Sequence, residues 1–197
     1  MKSVINNPLK DLLSNKKKTE LKRNTQPYLG HANRGLDFEF EINITNDWYK
    51  ENNIALITKR PTPIKVIRMN TNTGIIEKAV YEKQSTLDYN GVYDGHYIEF
   101  EAKQTNNNSL PITNFQEHQL VHIRKVINHQ GIVFVLISFR KYNEVYFLEG
   151  KRIVEAIDNN KRSLSYNFVK ETGYPVVIKY NPRIDYIEIL RKILTTK

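Results

Sequence analysis

The chain has 197 residues, of which 40% are hydrophobic and 26% charged, with a formal net charge of +9. Those values exclude a disordered chain and suit one sizeable domain with at most one projecting element. The absence of cysteine excludes disulfides and thiolate metal sites. No apolar run reaches the roughly 18 residues of a membrane span, and the N-terminus lacks the apolar core of a secretory signal, so a cytoplasmic location is expected.

The charge is unevenly spread. Residues 1–34 carry eight Lys/Arg against two Asp/Glu, residues 35–150 twelve against fourteen, and residues 151–197 ten against five. A near-neutral centre flanked by basic ends fits a site embraced by surfaces that bind a polyanion, nucleic acid first among them.

Residues 1–32 read as a flexible basic arm, with Lys16, Lys17 and Lys18 as phosphate contacts. Asn33 offers an N-cap for a helix over 34–50, in which Leu36, Phe40, Ile44 and Trp48 form the expected buried stripe. Glu39 lies off that stripe and could reach a site beside a sheet. Residues 54–58 read as a strand, followed by Lys59-Arg60-Pro61-Thr62-Pro63, where two prolines stiffen an extended connection. Two β-prone runs, 64–68 and 75–83, flank a turn-rich Asn70-Thr71-Asn72-Thr73-Gly74. The whole of 59–83 is basic and predicts a projecting β stalk. Its Lys59, Arg60, Lys65 and Arg68 would meet phosphates, and Tyr81 is available for stacking on bases.

The segment from Asp88 to Lys103 carries the chemistry. Asp94-Gly95 signals a two-residue hairpin, because a type I′ turn needs positive φ at both central positions. After it, period-2 geometry sends Ile98, Phe100 and Ala102 to one face and Tyr97, Glu99, Glu101 and Lys103 to the other. Glu101 and Lys103 are thus neighbours, and Asp88 enters from just before the preceding strand. Two carboxylates can hold a hard divalent cation, and an adjacent ammonium can orient water or offset phosphate charge.

Further on, Thr113-x-x-Gln116 fits a capping box for a helix running to about residue 129, with Leu120, Ile123 and Ile127 as its apolar stripe and Gln119 and His122 at its border. Residues 131–139 form a continuous apolar run typical of a strand buried on both faces, with 145–148 its antiparallel partner. A short helix is expected near 152–157 and a strand over 174–180. Asn181-Pro182 then reads as the cap and first residue of a C-terminal helix bearing Ile187, Leu190 and Leu194. This order predicts an α/β fold with a central sheet.

Asn33-Arg34-Gly35, Lys59-Arg60-Pro61-Thr62-Pro63, Ser85-Thr86-x-Asp88-Tyr89-Asn90-Gly91, Tyr97 through Lys103, Asn114-Phe115-x-x-His118-Gln119 and Pro182-Arg183-Ile184-Asp185-Tyr186 together resemble the RecU Holliday junction resolvases. These belong to the restriction-endonuclease-like nucleases, and the blocks span about residues 33–187 in family order. The resemblance implies a central mixed sheet flanked by helices with a protruding β stalk, a nuclease domain over 33–197, and a homodimer that nicks four-way DNA junctions. It implies Mg2+ (Mn2+ substituting) held by Thr86, Asp88, Glu101 and Gln119. Catalysis would fall to Asp88, Glu101, Lys103 and Glu39, with Arg34 among the DNA contacts. A recombinase and a branch-migration helicase are implied partners. A non-catalytic junction-binding factor and another nuclease of the same superfamily are the competing expectations.

Overall fold

The computed structural model describes residues 34–82 and 86–196, with side chains from Phe38 onward. The basic arm over 1–32, with Lys16, Lys17 and Lys18, lies outside the described residues, as do Ser85 and the side chain of Arg34.

A six-stranded sheet forms the centre of the fold. In chain order its strands are β1 (Leu56–Lys59), β4 (Tyr89–Tyr93), β5 (His96–Thr105), β7 (Ile132–Phe139), β8 (Glu144–Glu149) and β10 (Tyr174–Val176), which is also their spatial order. Only β5 and β7 run parallel; the other neighbours are antiparallel. A parallel pair needs a crossover, and α2 (Glu117–Asn128) supplies it. The expected hairpin joins β4 to β5, with Asp94 at φ 47° and Gly95 at φ 75°. Between β1 and β4, the strands β2 (Ile64–Met69) and β3 (Ile76–Tyr81) pair only with each other. Every residue of both is exposed, so this hairpin stands off the central sheet.

Helices cover both faces. On one, Phe38, Ile42 and Tyr49 of α1 (Arg34–Glu51) and Ile187 and Leu190 of α5 (Ile187–Thr195) pack on Ile98, Phe100, Ala102, Phe134 and Phe147. Rings run across the strands there: Tyr89 stacks on Phe100 at 4.7 Å and Phe100 on Phe134 at 4.7 Å. On the other, Ile123 of α2, Ile153 of α3 (Gly150–Asp158) and Val169 of α4 (Tyr166–Thr172) meet Val133, Val135, Ile137 and Leu148. A small pair, β6 (Ser109–Pro111) with β9 (Ser163–Ser165), borders that second face; neither it nor α4 is signalled by the sequence pattern. Among the described residues no helix is long and apolar enough to cross a membrane.

Three sequence expectations are corrected. The buried stripe of α1 is Phe38, Ile42, Thr45 and Tyr49, whereas Phe40 is 54% and Ile44 44% exposed. Hydrogen bonding chooses between the two stripes: Thr45 Oγ1 accepts from Ile184 N at 3.1 Å, Tyr49 Oη donates to Asp185 at 2.9 Å, and Asn46 pairs with Tyr186. The second helix begins at Glu117 rather than after Thr113, and its capping box is formed by Gln116 and Gln119. Ile112–Asn114 make a separate 3-10 turn, and the extended backbone of Phe115 buries its ring in the core. Asn181-Pro182 does not cap the last helix. It is a cis peptide in the turn closed by the Ile178–Ile184 bridge, and α5 starts at Ile187.

Gly91 explains how the edge strand seats. It pairs with Ile57, and a Cβ there would lie 2.1 Å from Leu56 O and 2.7 Å from Ile57 Cα. Gly91→Ala should therefore push β1 off β4 and lower stability by about 1–3 kcal/mol, read as a lower urea midpoint. An unchanged midpoint would mean that β1 has slack.

Candidate active site

The polar face of β5 turns toward α2, in register with Val133, Val135 and Ile137 of β7 opposite Glu99, Glu101 and Lys103. The alternation is as expected, but the face is not solvated: Glu101 is 1% and Glu99 0% exposed. Buried carboxylates require compensating donors, and each has them. Glu101 Oε1 accepts from Lys103 Nζ at 2.6 Å and Gln119 Nε2 at 2.8 Å, while Oε2 accepts from the backbone N–H of Asp88 at 3.2 Å. The Asp88 carboxyl lies within hydrogen-bond reach of that of Glu101. Asp88, Glu101, Lys103 and Gln119 therefore converge.

Burial pushes the Glu101 carboxyl up to about 7; the Lys103 ammonium opposes this and the Asp88 carboxylate reinforces it. Lys103 is half-buried and lies 5.5 Å from the centre of the Phe115 ring, a cation–π contact that limits its freedom. Gln119 is buried at the first turn of α2. Its Oε1 accepts from Gln116 N at 3.0 Å while its Nε2 holds Glu101. In this arrangement it positions the glutamate. Thr86 is half-buried two residues ahead of Asp88. Glu39 takes Lys59 as its ion-pair partner; burial, reinforced by the charges of Glu39, Asp88 and Glu101, pushes the Tyr89 hydroxyl up and keeps it protonated.

The other expected DNA contacts fall into two groups. Lys65, Arg68 and Tyr81 stand on the exposed hairpin, with Arg68 paired to Glu77 at 2.7 Å and Tyr81 82% exposed. Lys59 and Arg60 are engaged at its base: Arg60 turns inward, 3.2 Å from Glu99 and 3.0 Å from Tyr97 Oη. Glu99 itself, with His122 Nε2 at 2.9 Å, is a second buried charge cluster that sequence reasoning passed over. Its signal was present, since Glu99 shares a strand face with Glu101, and His122 sits three residues after Gln119 on α2.

The donor set fits a hard divalent cation. Asp88 and Glu101 offer carboxylate oxygens side by side, and the raised Glu101 carboxyl marks a place where further positive charge would be favourable. Among the described residues no three His, Cys, Asp or Glu side chains cluster, so most of the coordination shell would come from water or phosphate, as Mg2+ generally allows.

The fold and site define an α/β protein whose mixed sheet lies between helices and brings two acids and a lysine together beside its central strand β5. The family model described as Recombination protein U matches residues 33–192, and the chain belongs to that RecU family. It is 37% identical over 183 residues to the Holliday junction resolvase RecU of Geobacillus sp. (strain WCH70), covering 88% of this chain and 91% of that protein. The Holliday junction resolvase RecU of Bacillus cytotoxicus is 39% identical over 181 residues, covering 88% of each. That of Bacillus mycoides is 38% identical over 188 residues, covering 91% of this chain and 92% of the relative. Among solved structures, the Holliday junction resolvase Hjc of Archaeoglobus fulgidus matches at a TM-score of 0.46 and 9% identity, covering 72% of this chain and 95% of that one.

The raised Glu101 carboxyl gives a stability prediction. A folded-state value above the unfolded 4.5 means that the native state binds this proton more tightly. The resulting stabilisation is complete below about 4.5 and is lost as pH rises through about 7. Glu101→Gln cannot ionise, so its melting temperature relative to wild type should climb between about pH 5 and pH 8. A difference that stays flat or falls over that range would remove the buried-acid reading.

Proposed function

We propose that the protein is a divalent-metal-dependent endonuclease that resolves four-way DNA junctions by paired nicks in opposed strands. The convergence of Asp88, Glu101 and Lys103 on one face of the sheet supports this most directly, and the RecU family membership supports the junction as substrate. Mg2+ is the proposed metal, with Mn2+ able to replace it. Asp88 and Glu101 would hold it, with Thr86, two residues ahead of Asp88, and Gln119, bonded to Glu101, as further oxygen donors. When bound, such an ion supplies a Lewis acid for the scissile phosphate and lowers the pKa of a bound water.

The chain's own residues do the remaining work. Lys103 keeps Glu101 oriented and presents an ammonium beside the acids, where it can offset charge gathering on non-bridging phosphate oxygens. Gln119 fixes the same carboxylate from α2. Glu39 and Lys59 hold one another at the hairpin's base, where Glu39 contributes negative charge and Lys59 can turn to a phosphate. Attack in line would leave a 5′-phosphate and a 3′-hydroxyl.

Junction preference would come from shape. The β2–β3 hairpin is long enough and bare enough to enter an open junction centre, with Lys65 and Arg68 on phosphates and Tyr81 stacked on an unpaired base. A homodimer would present two identical sites to a nearly two-fold symmetric substrate. A DNA substrate of this kind fits a cytoplasmic protein, and a recombinase and a branch-migration helicase would act on the same joint molecules.

Two experiments test this. Asp88→Ala and Lys103→Ala should retain binding of a mobile four-way junction while Mg2+-dependent nicking falls at least about a hundredfold; full activity in either variant refutes the assignment. Arg68→Ala and Tyr81→Ala should lower junction affinity more than duplex affinity, read as a gel-shift ratio. An unchanged ratio would take the hairpin out of recognition.

A further inference from the structure

Glu99 is wholly buried on β5, two residues before Glu101 and on the same face. Its Oε1 accepts from Leu87 N at 3.1 Å, is ion-paired with Arg60 Nη2 at 3.2 Å and lies 2.9 Å from His122 Nε2; its Oε2 accepts from Tyr97 Oη at 2.7 Å. Such a carboxylate tolerates burial only while those donors stay in place. The donors come from separate parts of the chain: the end of β1, the loop before β4, the start of β5 and α2.

The loop before β4 is the important one. Leu87 N–H is held by Glu99 and the very next N–H, that of Asp88, by Glu101. Asp88 is therefore positioned by both acids of β5, only one of which belongs to the candidate metal site. Arg60 joins that loop to β5: its backbone N–H donates to Asp88 O at 2.7 Å, and its guanidinium meets Glu99 and Tyr97 on β5. Pro61 and Pro63, whose fixed φ makes a stiff connection, follow at once and lead into the hairpin. Its legs are tied at the base by Glu82 N–H donating to Pro63 O at 2.9 Å, and the chain returns to the site at Thr86, two residues before Asp88. Both ends of the hairpin thus terminate on the loop that carries Asp88.

We infer that Glu99 and Arg60 are positioning residues that transmit the placement of the β2–β3 hairpin to Asp88, making nicking conditional on a junction being seated on the hairpin. The inference rests on the nuclease reading above. A buried polar cluster that merely stabilises the fold would lower melting temperature and affect all substrates alike. A transmitting cluster separates chemistry from binding, and it couples specifically to the hairpin.

The test is a double-mutant cycle on the full chain, read as single-turnover nicking of a four-way junction with Mg2+ and as junction Kd in Ca2+. The variants are Glu99→Gln, Arg60→Lys, a hairpin shortened by replacing residues 65–80 with a Gly-Ser turn, and the shortened hairpin combined with each substitution. Arg60→Lys keeps the charge but loses the rigid guanidinium whose Nη2 meets both Glu99 and Tyr97. Glu99→Gln and Arg60→Lys should each slow nicking by about tenfold or more while Kd changes less than about twofold, since small misplacement of a reacting group is heavily penalised. Each combination should be no slower than the worse of its two single changes. Multiplying losses, or wild-type nicking by Arg60→Lys and Glu99→Gln, overturns the inference. Should Glu99→Gln fail to fold, the Arg60→Lys arm decides by the same criteria. Wild-type protein that nicks no junction overturns the nuclease reading itself; wild-type nicking with additive losses overturns only the transmission.

Discussion

Two glutamates buried side by side on the central strand set the terms for the rest of the molecule. Glu99 and Glu101 sit where the alternation of β5 would otherwise place apolar side chains, opposite Val133 and Val135. Removing a carboxylate from water is tolerated only against well-placed donors, so several other segments are committed to supplying them. The loop before β4 gives two backbone N–H groups, α2 gives Gln119 and sets His122 beside Glu99, Arg60 just after β1 gives an ion pair, and β5 itself gives Tyr97 and Lys103. The same contacts that make burial possible assemble the site.

Topology determines which donors are available. The parallel pairing of β5 with β7 forces a crossover, and the crossover helix lies on the acidic face of β5. Its first turn delivers Gln119 to Glu101, and one turn later His122 reaches Glu99. On the other face, stacked rings of Tyr89, Phe100 and Phe134 clamp β4, β5 and β7 together. The alternation of one ten-residue strand thus divides an apolar clamp from a charged site.

Much of this was legible because it is local. Period-2 alternation places Glu101 beside Lys103 without knowledge of the partners, Asp94-Gly95 fixes the hairpin that brings Asp88 alongside, and the apolar run of β7 names itself. What was not legible depends on partners remote in sequence. Helix α1 carries two stripes of four-residue spacing, and Ile184, Asp185 and Tyr186, about 140 positions away, decide that Phe38, Ile42, Thr45 and Tyr49 go inside. The start of α2 was misplaced because Thr113 and Gln116 fit a capping box as well as Gln116 and Gln119 do; the burial of Phe115 settles it. Glu99 looked like an ordinary solvated strand residue, since Arg60 and His122 are distant in number. Arg60 looked like a phosphate contact for the same reason.

The charge arrangement closes the argument about substrate. At the site Glu101 is offset by Lys103, Glu99 by Arg60 and, when protonated, His122, and Glu39 by Lys59. Asp88 then remains as the acid without a cationic partner among these pairs, so with Glu101 ionised the centre is locally negative and would oppose a phosphodiester until a cation entered. The exposed hairpin carries Lys65, Arg68 and Lys78 against Glu77, and this excess of positive charge attracts the same polymer. Recognition and reaction are therefore separated in sign as well as in space. Under the proposed function a polyanion would be drawn to the hairpin whether or not metal is present, but its scissile phosphate would settle against Asp88 and Glu101 only once a divalent ion had reversed the local field.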